Sequence, residues 1–426
     1  MSGEKTTREA KKSVLPEAAL KNLEEVYKDL HAHPELGFHE VRTAGIVADR
    51  LRSLGFEVTE KVGKTGVVGI LERGKGTTVL LRADMDALPV KEETGLPYAS
   101  KMMFTQEDGA QVPVMHACGH DMHTTALLGA CEALSKDESW NGKIMAVFQP
   151  NEEQGAGADA MINDGLFERF GDPEIVLGQH VSPMPAGVIG FKPGPAFANS
   201  DALLVKIHGE GGHGSRPEAT VDPVVLASSI VMRLQTVVSR ELAAGDVAVL
   251  TVGSIRSGEV ANIIPSEAEL KISLRTFTPV ARETALAAIK RIVEGECAAA
   301  GAKRPPEIET LYSFPAVVND ENAGQVTVDA FRAAMPGVLV VDPGAVTGSE
   351  DVGLFARVAN VPCVYWLLGG ADPDTFEGAT TPQEMIEIMA NTPSNHSPLY
   401  APALEPTLRI GITALTTAAL TWLNAG

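Results

Sequence analysis

The chain has 426 residues, long for one domain and comfortable for two. Hydrophobic residues make up 44% and charged residues 21%, so a sizeable core is available. The formal net charge is −20 and no run of Lys and Arg stands out, which argues against nucleic acid or an anionic membrane as partner. The N-terminal "MSGEKTTREAKKS" is polar and lacks an apolar signal core. Cys118, Cys131, Cys297 and Cys363 follow no zinc-finger or secreted-scaffold spacing. A cytoplasmic protein is expected. The apolar "GITALTTAALTWL" near the C-terminus is too short and too rich in Thr to span a bilayer.

In chain order, "LPEAALKNLEEVYKDLHAH" predicts an amphipathic helix, with Leu20, Leu23, Val26, Tyr27 and Leu30 at helical spacing. "VRTAGIVADRLRSLGF" predicts a second, ended by Gly55. "TVLLRADMD", "KIMAVFQPNEE", "EIVLGQHVS", "VLVVDPG" and "VPCVYWLLGG" begin as continuous apolar runs, which suit strands buried on both faces. The helical pattern "TTALLGACEALSK" lies among them. The expected class is α/β, a helix-covered, mostly parallel sheet. From about Ala198 to Thr310 the rhythm becomes β-α-β-β-α-β, the ferredoxin-like split pattern. The expectation is a catalytic domain over 1–197 and 311–426, interrupted by an inserted α+β domain over 198–310.

Sites in open α/β sheets form beyond the carboxyl ends of the strands. There the sequence offers Asp84 and Asp86 after "TVLLRA", Glu152-Glu153 after "KIMAVF", Gln179-His180 after "EIVLG", and Glu350-Asp351 after "VLVVDPG". "MHACGHDMHTT", at 115–125, just precedes a helix and adds Cys118, His120 and His123. A metal, a reactive thiol and a chance cluster are all open readings of it. Taken singly, each residue has an ordinary role as loop carboxylate, buried thiol or packed histidine. His31, His33 and His39 read as structural. Together, thiolate, imidazole and carboxylate form the ligand set of zinc and its neighbours. Five or more candidates imply two ions, which can clamp a polarised carbonyl and acidify a shared water. The Glu152-Glu153 pair then divides into one ligand and one base.

The motifs "RADMDALPV", "MHACGHDMHTTALLGA", "QPNEEQGAGADAMINDG", "GEGGHGSRP", "GSEDVGLFA" and "NHSPLY" together resemble the M20 metallopeptidases. The branch it looks most like holds hippurate hydrolase, aminoacylase-like enzymes and auxin-conjugate hydrolases, and "LHAHPELGFHE" fits that branch. The resemblance implies an inserted lid or dimerisation domain. It implies two divalent ions per chain, zinc first with manganese, cobalt or nickel as alternatives, held by Cys118, His120, Glu153, His180 and His396. It makes Glu152 the general base and Asp86 the carboxylate that steadies a ligand. His213 matches a histidine presented to the substrate carbonyl, across a homodimer formed through the lid. Asn262 and Arg275 match positions of substrate contact. Asn151 departs from the branch, which often has a small residue there, and "APALEP" lacks the acidic pair common after "HSPLY".

The implied activity is cleavage of the amide bond of N-acyl amino acids. A dipeptidase or carboxypeptidase of the same metal chemistry, a Cys118 thiol hydrolase with His120 as base, and a non-catalytic binding homologue are the alternatives.

Overall fold

The computed structural model describes residues 14–424; the polar stretch 1–13, discussed above for its missing signal core, lies outside them. The chain forms two compact units. Among the described residues, the first takes in 14–194, Val318–Gly344 and 351–424, and the second takes in Pro195–Val317 and Ala345–Glu350.

The first unit is built on an eight-stranded sheet. Its strands are β1 (Glu57–Val62), β2 (Gly66–Arg73), β3 (Thr78–Asp84), β4 (Gly142–Gln149), β5 (Ile175–Pro185), β6 (Val188–Gly190), β7 (Leu339–Val341) and β8 (Cys363–Ala371). They lie in the order β1-β2-β4-β3-β5-β8-β6-β7. The centre is parallel: β3 runs with β4 and β5, and β5 with β8. The flanks bring antiparallel pairs, β1 with β2, β2 with β4, and β8 with β6. The apolar runs are explained by burial on both faces. Val79, Leu80, Leu81, Ile144, Met145, Ala146, Val176 and Leu177 are all fully buried. Helix α1 (Glu17–Ala32) buries Leu20, Leu23, Val26, Tyr27 and Leu30, the stripe its periodicity predicts. α2 spans Val41–Ser53. α3 (His120–Lys136) is buried on nearly every side, among α1, α2, the sheet and a C-terminal helix, Leu404–Leu423. That last helix contains the apolar C-terminal stretch. Among the described residues no helix is long and apolar enough to cross a membrane.

The second unit is a four-stranded antiparallel sheet in the order Ala248–Arg256, Glu267–Thr276, Asn199–His208, Glu307–Phe314. The helices Pro223–Thr236 and Pro279–Ala299 pack on it, giving the β-α-β-β-α-β succession expected from the sequence. Each begins with a side-chain cap, Asp222 or Thr278, followed by proline at the first helical position. Strand Glu267–Thr276 alternates strictly, with Ala268, Leu270, Ile272 and Leu274 buried beneath the helices. The segment Ala345–Glu350, assigned to the first domain on sequence, packs within this unit. Ala198 N–H donates to the carbonyls of Val346 and Gly348 at 3.0 Å each, and Arg275 donates to Thr347 O at 2.7 Å and Ser349 Oγ at 3.0 Å.

Candidate metal centre

Five pieces of the first unit deliver the side chains. β3 ends at Asp84, and Asp86 follows in the next turn. β4 ends at Gln149, and Glu152 and Glu153 follow in a tight turn closed by Gly155 N–H to Glu152 O. His180 sits within β5 rather than after it, because β5 pairs with β8 from Val176 to Pro185. Cys118 lies just before α3, and His120 opens it. Between them Gly119 has φ +80, and a Cβ there would meet Val181 Cγ1 at 2.4 Å, so only glycine turns the chain this closely against β5. His396 is held by its backbone N–H, which donates to Ala117 O at 2.8 Å. Neighbouring Asn395 donates to Cys118 O at 3.1 Å and Val181 O at 3.2 Å.

The donor atoms form overlapping groups. Cys118, His120 and His180 make one, Cys118, Glu153 and His396 a second, and His120, Glu152 and Glu153 a third; within each, the ligand atoms lie within 4.8 Å of one another. Cys118 Sγ is 3.6 Å from His180 Nε2. Glu153 Oε1 is 3.9 Å from His120 Nε2, and Glu153 Oε2 is 3.3 Å from His396 Nε2. Among the described residues, His120 Nε2 and Glu153 Oε1 are buried without a hydrogen-bond partner, and His120 Nε2 also lies 3.7 Å from Asp84 Oδ2. Orphaned buried polar atoms are costly, and two that face each other fit a cation between them.

Further contacts orient the rings. His120 Nδ1 lies 2.9 Å from Asp86 O and 3.2 Å from Asp86 Oδ1, so it donates there and turns Nε2 toward Glu153. Asp86 Oδ2 also accepts from Glu153 N–H at 3.1 Å. His180 Nδ1 donates to Val181 O at 2.7 Å, which puts the Nε2 lone pair on the side of Cys118. Electrostatics follow this packing. Burial, then the charge of Glu153, pushes the Cys118 thiol up. Burial alone would lower His120, but Asp84, Asp86 and Cys118 hold it well above the ordinary imidazole range. Bonds with Cys118 and Glu153 carry His396 to about 10. Burial and then His123 hold His180 well below its usual value. A cation there would bind the Cys118 thiolate and neutral imidazoles, the forms in which these side chains act as ligands.

His123 packs on the helix and does more. Its Nδ1 donates to Asp84 Oδ1 at 2.5 Å, and its Nε2 accepts from Val181 N–H at 2.7 Å. Both nitrogens are committed, and the ring ties α3 to the strand that carries His180. Asp84 continues the chain of contacts into a buried ion network that the sequence reading missed. Arg82 Nη1 donates to Asp84 at 2.7 Å, Nη2 to Asp351 at 3.1 Å, and Nε to Gln149 at 2.8 Å. The available signal was Arg82 itself, since a charge inside a strand buried on both faces requires partners. His31 is structural: it lies 2.6 Å from Asp121 and 3.0 Å from Glu92. Burial opposes its charge, but these two carboxylates outweigh it and carry the imidazole to about 10.

His213, Asn262 and Arg275 belong to the second unit. His213 pairs with Ile263, and Gly214 N–H donates to Asn262 O at 2.8 Å, so His213 and Asn262 are neighbours. His213 is exposed, and its Nδ1 accepts from Ser215 N–H at 3.1 Å, which leaves the proton of the neutral ring on Nε2. Arg275 is engaged with Thr347 and Ser349.

The model of peptidase family M20/M25/M40 matches residues 80–394. A hippurate hydrolase from Campylobacter jejuni subsp. jejuni is 43% identical over 274 residues, which cover 64% of this chain and 69% of that protein. An N-acetyl-L-cysteine deacetylase from Bacillus subtilis is 35% identical over 375 residues, 87% of this chain and 86% of that protein. A solved structure from Bacillus subtilis, described as a dinuclear metal binding peptidase from the M20 family, aligns with a TM-score of 0.76 and 28% identity over 97% of this chain and 100% of the other.

Proposed function

The chain belongs to peptidase family M20/M25/M40, a family of hydrolases, and from that premise we propose that it is a two-metal amidohydrolase cleaving N-acyl amino acids. The observation that carries this reading is the convergence of the donor groups, with His120 Nε2 and Glu153 Oε1 lacking hydrogen-bond partners among the described residues and grouped with Glu152. Cys118, His120, Glu153, His180 and His396 are the proposed ligands of two divalent ions, zinc first, with manganese, cobalt or nickel as alternatives. When bound, such ions polarise the amide carbonyl and acidify water.

The chain's own groups do the rest. Glu152 takes a proton from the attacking water as its oxygen bonds to the carbonyl carbon. Glu152 then returns that proton to the departing nitrogen as the C–N bond breaks. The products are a carboxylic acid and a free amino acid. Asp86 keeps His120 and Glu153 in place. His213 donates from Nε2 to the carbonyl oxygen as negative charge develops, and Asn262 and Arg275 contact the substrate.

We further propose a homodimer formed through the second unit. Its strand Ala248–Arg256 lies at the sheet edge with Val249 and Ile255 exposed, and helix Pro223–Thr236 exposes Val225 and Met232. A cytoplasmic setting fits the four free cysteines, all buried.

The substrate class is tested with a panel of N-benzoylglycine, N-acetyl amino acids and dipeptides, assayed with added zinc, manganese, cobalt or nickel. The expected result is release of free amino acid from the N-acyl compounds in preference to the dipeptides. Turnover of dipeptides alone would move the chain to the peptidase reading.

A further inference from the structure

We propose that Glu40 is a positioning residue for hydrolysis: buried at the head of α2, it clamps the backbone of Asn151 and so aims Glu152. The inference rests on Glu152 being the general base.

Glu40 is fully buried. It occupies the position preceding α2, where short Ser, Thr, Asp or Asn side chains ordinarily cap a helix, and it makes no cap bond to α2. Glu35 does that work instead, accepting from Arg42 N–H at 3.0 Å and Thr43 N–H at 2.8 Å. Glu40 is thereby released to reach across to the β4 turn. Its Oε1 accepts from Asn151 N–H at 2.8 Å, and its Oε2 accepts from Thr65 Oγ1 at 2.5 Å.

The residue it holds is in an unusual state. Asn151 has φ 47, a left-handed backbone that few residues other than glycine adopt. Its carbonyl accepts from Gly157 N–H at 3.0 Å, so it is pinned on both sides. Its side-chain polar atoms are buried without hydrogen-bond partners among the described residues. A Cβ at Gly37 would lie 1.8 Å from Asn151 Oδ1, so a larger residue there would force the Asn151 side chain to shift. The segment "ELGFHE" thus supplies both the clamp and the space for the residue immediately before Glu152. A rotation at Asn151 swings Glu152 directly, and a misplacement of about 1 Å can cost about 10²-fold in rate. Burial, then the charge of Asp86, carries the Glu40 carboxyl to about 7. Either protonation state leaves an oxygen to accept from Asn151.

The test compares Glu40→Ala, Glu40→Gln and Gly37→Ala, with Glu152→Gln alongside, by kcat, KM and metal content. Glutamine keeps an oxygen for Asn151 and an amide for Thr65; alanine keeps neither. The expected result is a loss of at least about tenfold in kcat for Glu40→Ala and Gly37→Ala, with KM and metal content unchanged, and Glu40→Gln within about threefold of the parent. Wild-type kcat in Glu40→Ala would overturn the proposal, as would a Glu40→Gln enzyme as impaired as Glu40→Ala. If Glu40→Ala does not fold, wild-type kcat in Gly37→Ala overturns it alone. An inactive Glu152→Gln beside a fully active Glu40→Ala rejects the clamp and spares the base. An active Glu152→Gln removes the base and the clamp together.

Discussion

Glu152→Gln is expected to retain its metals and lose about 10²–10⁴-fold in kcat, the usual worth of general acid–base catalysis. The side chain is buried, in one group with His120 and Glu153. Glutamine has nearly the same shape, so packing and the neighbouring Glu153 are preserved. An amide cannot accept a proton from water or pass one to a leaving amine. The loss should therefore fall on kcat, with metal content measured on the same sample as the control. A loss below about tenfold, metals retained, would remove Glu152 from the role of base.

His213→Ala is expected to lower kcat by about 10²–10³-fold, the usual cost of losing one preorganised donor to a developing oxyanion. His213 is exposed, with Ser215 bound at Nδ1, so its loss leaves no buried group unpaired. Folding should be unaffected. Mixing the His213→Ala chain with the Glu152→Gln chain gives a second reading. If His213 serves the partner's centre, a mixed dimer has one site with both lesions and one with neither, and activity returns. If it serves its own chain, every site keeps one lesion and mixing restores nothing. Absence of recovery, with mixed dimers shown to form, rules out the exchange.

Local pattern carried much of the architecture. The stripe on α1 reports its buried face directly, and the apolar runs of β3, β4 and β5 report a sheet covered on both sides. The ends of those strands then located the donor groups, since a parallel sheet collects the loops of one edge. The parts that escaped depend on partners remote in sequence. Arg82 meets Asp351, and Asn151 meets Glu40, across separations that no periodicity records. Ala345–Glu350 changes unit because Arg275 and Ala198 bind its backbone. His180 lies within β5 because β8 extends the pairing beyond the apolar run. Asn151 stood out as a departure from the family pattern, but its left-handed backbone and its fit against Gly37 are visible only in three dimensions.

Hydrolysis is expected to depend on divalent metal held by Cys118, His120, Glu153, His180 and His396. The direct measurement is amino acid release from an N-acyl substrate before exhaustive chelation, after it, and after divalent ions are returned, with metal counted at each stage. The expected result is about two ions per chain at the start, loss of activity as they are removed, and recovery when they are restored. Full activity in the metal-free protein would contradict the account and turn attention to Cys118 as a nucleophile.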